Sequence, residues 1–196
     1  MTKIDHAALE TLFFNARSQN GWQDEPVSDD ELRAAYDIAK WAPTSMNTQP
    51  MRIAFLRSIE AKERLRPAML PTNVDKVMTA PVVALIAFDE AFYDHLPRTF
   101  PHNPNARAVF AGNDPLITGT AFRNGTLQAA YFMLALRGVG LDVGPMSGFD
   151  PTKVQDEFFA GTTMRINFVC GIGHGDSAKV YDRSPRLGFE EIATIL

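Results

Sequence analysis

The chain has one cysteine, Cys170, so no internal disulfide can form. Cys170 lies in the apolar run Asn167-Phe-Val-Cys-Gly-Ile172 with no histidine beside it to act as a base, which reads as a small buried hydrophobe. The four histidines, His6, His95, His102 and His174, are scattered, and no two stand at metal-ligand spacing, so no metal site is expected. There is no HExxH, CxxC or GxSxG motif and no P-loop, which removes the common hydrolytic, thiol-redox and nucleotide-hydrolysing chemistries. Gly171-Ile-Gly-His-Gly-Asp176 lacks both the GxGxxG spacing and the following helix of a dinucleotide fold. Basic charge is not in excess: the formal net charge is -4, which favours neither nucleic acid nor an anionic membrane. No apolar stretch approaches the roughly 20 residues that span a bilayer. Met1–Gln19 has no basic head followed by an apolar core, so the expected location is the cytoplasm.

What is present suits a single domain over 1–196, because 196 residues with 45% hydrophobic content can bury a sizeable core. Leu9, Leu12, Phe13 and Ala16 recur at helical spacing and predict a helix from Asp5 to Gln19, broken at Asn20-Gly21. Ser28 with Glu31 has capping-box spacing and opens a helix carrying Leu32, Ala35, Ile38 and Ala39 on one side. Met51–Arg57 reads as a strand, Ser58–Arg66 as a short polar helix, and Ala80–Phe88 as a strand buried on both faces. The Pro- and Asn-rich stretch Pro97–Asp114 reads as an irregular excursion of the kind that covers sites. Leu116–Arg137 is apolar around most of its circumference and predicts a central buried helix ended by Gly138 and Gly140. Asp150-Pro151 starts another helix, and Arg165–Ile172 is a further buried strand. Few strands separated by helices, without a regular βαβ rhythm, give an α+β class.

Three segments are polar, marked by glycine or proline, and unlike core: Arg17-Ser-Gln-Asn20, Trp41-Ala-Pro-Thr-Ser-Met-Asn-Thr-Gln-Pro-Met-Arg52, and Gly144-Pro-Met-Ser-Gly-Phe-Asp150. Each alone is compatible with a helix end, a capped loop or a turn. In this order and at these separations they resemble the nitroreductase family over nearly the whole chain. That resemblance implies a central mixed sheet flanked by helices, an intertwined homodimer, and FMN at the subunit interface with NADPH or NADH as hydride donor. Arg17, Ser18 and Asn20 match the phosphate and ribityl segment, with Asn20 standing where a basic residue is usual. Pro43, Thr44, Ser45, Asn47 and Gln49 match the flavin-contacting Ala-Pro-Ser-x-x-Asn-x-Gln-Pro segment, which serves partly from the partner subunit. Pro145, Met146, Ser147 and Gly148 match the loop against the isoalloxazine ring. In Arg183-Ser-Pro-Arg-Leu187, ahead of a terminal strand, Arg186 matches a second phosphate ligand more closely than Arg183.

Asn20-Gly-Trp22, Phe122-Arg-Asn124, Gly144-Pro-Met-Ser-Gly-Phe-Asp150, Phe158-Phe-Ala-Gly161 and Pro185-Arg-Leu187 are similar to the RutE-type malonic semialdehyde reductases of pyrimidine breakdown. The resemblance implies ping-pong hydride transfer through flavin N5 to an aldehyde acid. It requires no protein nucleophile, and no side chain is singled out as catalytic. A substrate carboxylate would suit an arginine, with Arg52, Arg107 and Arg123 as candidates. A general nitro- or quinone reductase of the same fold, an oxygen-using relative that cleaves its own flavin, and a flavin-binding protein without turnover are the alternatives.

Overall fold

The computed structural model describes residues 2–196. Asp5 caps α1 (His6–Leu9) by accepting the Ala8 N–H at 2.8 Å, and the chain continues as one π-helical turn over Glu10–Phe14. The helix expected to reach Gln19 therefore stops at Phe14. The cause is non-local: Ser18 forms a parallel bridge with Val143, and the Gln19 N–H donates to the Val143 carbonyl at 3.0 Å, which requires extended backbone.

Helix α2 (Asp29–Ala39) begins at a complete capping box, with Glu31 N–H donating to the Ser28 hydroxyl at 3.2 Å and Ser28 N–H to the Glu31 carboxylate at 2.7 Å. Such a cap stabilises a helix by about 1 kcal/mol. Leu32, Ala35 and Ala39 are buried, whereas Ile38, expected on the same side, is 54% exposed. Each residue turns the helix by about 100°, so Ile38 cannot share the face of Ala39.

The middle of the chain supplies β1 (Met51–Leu56), α3 (Ile59–Leu65), α4 (Pro71–Thr79) and β2 (Val82–Asp89). The excursion after β2 is more ordered than its composition suggests. It holds α5 (Leu96–Thr99) and α6 (Ala106–Phe110), and Phe92, Leu96, Ala106 and Phe110 join Phe88, Ile117 and Ala121 in a separate apolar cluster. Then come α7 (Asp114–Gly138), β3 (Asp142–Met146), α8 (Pro151–Phe158), β4 (Met164–Gly173) and α9 (Phe189–Ile192). Two expectations change here. Gly144-Pro-Met146 is strand rather than loop, and the segment after Arg186 holds a short helix rather than a terminal strand, with no sheet edge pairing with it among the described residues.

The sheet order is β1-β2-β4-β3 with every strand pair antiparallel; parallel pairing enters only through the Ser18–Val143 bridge, so the expected mixed sheet is antiparallel among its four strands. All eight residues of β2 are buried. Side chains alternate across a strand, so Val82, Ala84 and Ile86 enter the core shared with α2 and α7, while Val83, Leu85 and Ala87 enter the core under α3, α4 and α8. The result is a helix–sheet–helix sandwich.

Helix α7 covers about 37 Å at 1.5 Å per residue. Ile117, Ala121, Asn124, Gly125, Gln128, Ala129, Phe132, Ala135 and Leu136 are buried at helical spacing. At Gly125 a Cβ would stand 2.9 Å from the Phe88 Cβ, so glycine permits the close approach of α7 to β2. The flanks of this buried stripe depart from the expectation of all-round burial: Phe122 on one side, and Leu127 and Tyr131 on the other, are exposed. No helix among the described residues is long and apolar enough to cross a membrane.

Candidate functional site

The first polar segment and the late basic segment meet in a cavity of about 480 Å³, lined by Phe13, Ala16, Arg17, Ser18, Asn20, Arg137, Tyr181, Asp182, Arg183, Ser184 and Arg186. The bridge to β3 brings Arg17 and Ser18 there, and side-chain bonds to carbonyls tie down the tail. Arg17 donates to Tyr181 O, Asn20 to Lys179 O at 3.3 Å, and Arg183 to Phe14 O at 2.5 Å. Arg186 donates to Ser184 O at 2.9 Å. None of Arg17, Arg137, Arg183 and Arg186 takes part in an ion pair among the described residues. Four guanidinium groups against the single carboxylate of Asp182 make this a local anion site on a chain of net negative charge.

The sequence expectations included Arg17, Ser18, Asn20 and Arg186, with Arg183 second to Arg186. They missed Arg137. An arginine in the last turn of a helix ordinarily reads as a partner of the helix dipole, and only the packing of the N-terminal segment over the end of α7 reveals its other surroundings.

The second segment, Pro43–Gln49, is held elsewhere. Thr44 leads a short 3-10 turn over Ser45–Asn47. Ser45 N–H donates to the Asn124 side-chain oxygen at 2.8 Å, and Met51 N–H to that of Gln128 at 3.0 Å, pinning both ends of the loop to α7. The Asn47 amide donates to Thr99 O at 2.7 Å. Met46, Asn47 and Gln49 carry φ of 50°, 51° and 45°. Left-handed backbone at non-glycine residues costs on the order of 1 kcal/mol or more each, and such strain gathers at functional sites. Thr48 beside them is buried with its hydroxyl unpartnered.

The third segment starts inside β3 and runs on past its end. Gly148 O accepts from Leu70 N–H at 3.0 Å and from the Asn73 amide at 3.1 Å, while Asp150 N–H donates to Ala68 O at 2.7 Å. Pro145 and Ser147 are exposed, but the Met146 side chain is buried in the core beneath α3, α4 and α8. β3 joins this segment to the first, since Ser18 lies beside Val143. Gly144 allows that approach, because a Cβ there would stand 2.6 Å from the Gln19 carbonyl oxygen. The second segment is not brought to them: its anchor Asn124 and the cavity residue Arg137 are about 20 Å apart along α7 at 1.5 Å per residue.

The candidate substrate arginines separate clearly. Arg52 pairs with Asp89 at 2.8 Å, and Arg107 pairs with Asp94 at 2.8 Å while stacking on Tyr93; Arg123 is exposed on α7 and has no ion pair among the described residues. A larger cavity, about 840 Å³, follows the open edge of β1 between α2 and α7, lined in part by Tyr36, Ile53, Phe55 and Phe132.

Comparison with known proteins agrees with this geometry. The nitroreductase family model matches residues 15–174, which include the first three polar segments. A Ralstonia pickettii protein named NADH dehydrogenase/NAD(P)H nitroreductase HadB is 56% identical over 190 residues, covering 96% of this chain and 97% of its own. A Burkholderia lata protein, also named as an NADH dehydrogenase/NAD(P)H nitroreductase, is 52% identical over 195 residues, covering both chains completely. Among solved structures, a nitroreductase from Exiguobacterium sibiricum in complex with FMN superposes with a TM-score of 0.86 at 20% identity, covering all of both chains. The chain belongs to the nitroreductase family, and its fold is the nitroreductase fold.

Proposed function

We propose that the chain is an FMN-dependent NAD(P)H oxidoreductase, acting as a homodimer, that reduces malonic semialdehyde to 3-hydroxypropanoate. The observation that carries the cofactor reading is the cavity of four arginines without carboxylate partners. Its donor set suits a phosphate monoester, and the Exiguobacterium sibiricum relative has FMN bound.

In this reading Arg17, Ser18, Asn20 and Arg186 hold the phosphate end, Pro43, Thr44, Ser45, Asn47 and Gln49 contact the flavin, and Pro145–Gly148 lies against the ring. Pro145 has no N–H, and the Met146 side chain is turned into the core. The backbone amides of Met146, Ser147 and Gly148 would therefore be the groups of this segment that stabilise negative charge on a bound flavin. FMN, when bound, supplies the hydride relay between NAD(P)H and the acceptor. Arg123 takes the substrate carboxylate, since Arg52 and Arg107 are neutralised by Asp89 and Asp94. The closing proton comes from water in this scheme.

The homodimer is supported by three features of the single chain. The loop at Ser45 and the basic cavity are held at separated points of α7, so a partner's loop would complete the site. Tyr36, Ile38, Trp41, Phe122, Leu127 and Tyr131 leave an exposed apolar face. The tail exposes Leu187, Phe189, Ile192, Ile195 and Leu196, while β1 keeps an open edge beside an apolar groove.

A second reading, a general nitro- or quinone reductase, is favoured by the names of the relatives that are 52% and 56% identical. Anaerobic stopped-flow separates the two. FMN-loaded protein is reduced with NADPH or NADH, then mixed with malonic semialdehyde, a quinone or a nitroaromatic. Fast reoxidation by the semialdehyde with formation of 3-hydroxypropanoate is expected; reoxidation by the quinone or nitroaromatic alone moves the acceptor to the second reading. Light scattering of the holoenzyme reports a dimer, and a monomer refutes that part.

A further inference from the structure

Arg137 is the cation of the basic cavity that neither motif nor resemblance picks out. Its Nη1 donates to Leu12 O at 3.2 Å. Its Nε is sealed from solvent without any partner. The remaining nitrogen, Nη2, makes no hydrogen bond among the described residues, and the residue lines the cavity. Burial pushes its pKa below the ordinary arginine value, with Asp142 and then Cys170 only partly offsetting this. A half-buried guanidinium, tied by one carbonyl and making no ion pair among the described residues, is a charge only partly compensated. Arg183 and Arg186 are exposed, and Arg17, half-buried like Arg137, comes with them from the irregular segments near the chain ends, whereas Arg137 extends from the longest helix of the fold and has the least freedom to turn away.

We infer that Arg137 is the residue that makes the cavity select a phosphorylated flavin, its charge being completed by the phosphate of FMN. The inference rests on the FMN reading above and adds to it a residue and a discrimination: phosphate ester over the free alcohol. A merely structural role for Arg137, holding the N-terminal segment through Leu12 O, would affect FMN and riboflavin alike.

The test is fluorescence titration of apo-protein with FMN and, separately, with riboflavin, for wild type, Arg137→Gln and Arg137→Lys. Wild type binds FMN far more tightly than riboflavin. Arg137→Gln loses at least tenfold in FMN affinity while riboflavin affinity stays within about twofold, as expected for loss of a charge-assisted contact. Arg137→Lys, which keeps the charge, recovers most of the FMN affinity. Raising the salt concentration weakens FMN binding less in Arg137→Gln than in wild type, since one screened charge is gone. An unchanged FMN-to-riboflavin ratio in Arg137→Gln overturns the inference and leaves the FMN reading standing. Parallel loss for both ligands overturns it in favour of a structural role. If Arg137→Gln does not fold, Arg137→Met is titrated in its place with the same two ligands: a selective loss of FMN affinity supports the inference, and an unchanged FMN-to-riboflavin ratio overturns it. Failure of wild type to bind FMN removes the reading itself.

Discussion

Replacing Asn124 with alanine tests whether α7 holds the Pro43–Gln49 loop in a strained shape. Asn124 is 3% exposed; its side-chain oxygen accepts the Ser45 N–H at 2.8 Å, and its amide donates within the helix to Thr120 O at 2.8 Å. The second bond is easily forgone, because Thr120 O also serves the helix backbone. Losing the first, together with packing around the deleted amide, costs roughly 2–3 kcal/mol. Part returns: once the anchor is gone, Met46, Asn47 and Gln49 can leave the left-handed region, recovering on the order of 1 kcal/mol. The net expectation is a loss of about 1–2 kcal/mol, or a fall in Tm of roughly 2–8 °C for a chain of this size. A double-mutant cycle isolates the strain. Gln49→Gly relieves the left-handed cost in the wild-type background but gains little in the Asn124→Ala background, where the loop has already relaxed. The extra unfolded-state freedom of glycine is the same in both backgrounds and cancels. Urea unfolding gives the four stabilities, and hydrogen exchange reads the amides of Ser45–Gln49. Equal effects of Gln49→Gly in both backgrounds, with unchanged exchange in Asn124→Ala, would refute the reasoning.

Three other perturbations follow from local chemistry. The Ser28 backbone N–H, then its hydroxyl, holds the Glu31 carboxyl below its ordinary 4.5, so the first turn of α2 gains a contribution that is full above the unfolded pKa and fades as pH falls through the folded one. Hydrogen-exchange protection at Asp29–Leu32, relative to intrinsic rates, should therefore fall below about pH 4.5 in wild type and depend less on pH in Glu31→Gln; parallel profiles contradict this. Burial pushes the Cys170 thiol up to about 12, so a thiol reagent at pH 8 should label it only after unfolding, and rapid stoichiometric labelling of native protein would contradict the packing. Lys62 is 4% exposed, donates to Ala80 O at 2.5 Å, and burial lowers its pKa from 10.5. Its ammonium is thus disfavoured in the fold, and stability from this group rises as pH climbs through the folded-state pKa. Lys62→Met should be at least as stable as wild type by denaturant unfolding, and a loss above about 2 kcal/mol would mean that the hydrogen bond outweighs the buried charge.

What could be read in advance was what is encoded locally. The Ser28–Glu31 capping box and the Asp150-Pro151 start are matters of three or four residues, and each stands where its side chains dictate. The unbroken apolar run of β2 declared burial on both faces before any neighbour was known. The misplaced end of the first helix came from a distant part of the chain. Nothing near Ser18 says that Val143 will pair with it and pull Arg17–Gln19 out of a helix. α4 was not legible because Leu70, at its cap position, offers no side-chain hydrogen bond and only Pro71 marks its start. For the site, motif residues converged where the chain is continuous, as with Arg17, Ser18 and Asn20. The left-handed backbone at Met46 and Gln49 was invisible, since neither residue type favours it and Asn124 and Gln128 impose it from α7.

Helix α7 poses the remaining question, because its apolar content exceeds what one chain buries. Leu127 and Tyr131 stand one turn apart on one side of it, 45% and 44% exposed, with Phe122, 51% exposed, on the opposite side beside Phe88. If the chain works alone, Leu127→Glu is a surface substitution, expected to change stability by no more than about 0.5 kcal/mol and to leave flavin binding untouched. If this face is covered by a second copy, a buried carboxylate without a partner must break the interface, since its desolvation costs several kcal/mol. The second outcome carries a further consequence specific to this fold. Because the Ser45 loop and the arginine cavity are fixed to separated parts of α7, a monomer keeps the phosphate cavity but loses the partner's ring contacts. Leu127→Glu should then elute as a monomer and bind FMN more weakly, with the loss shared by riboflavin, which lacks the phosphate. That pattern is the reverse of the one expected at Arg137. A Leu127→Glu protein that stays dimeric, or one that turns monomeric with flavin affinity unchanged, would mean that the two segments do not build one site across the interface.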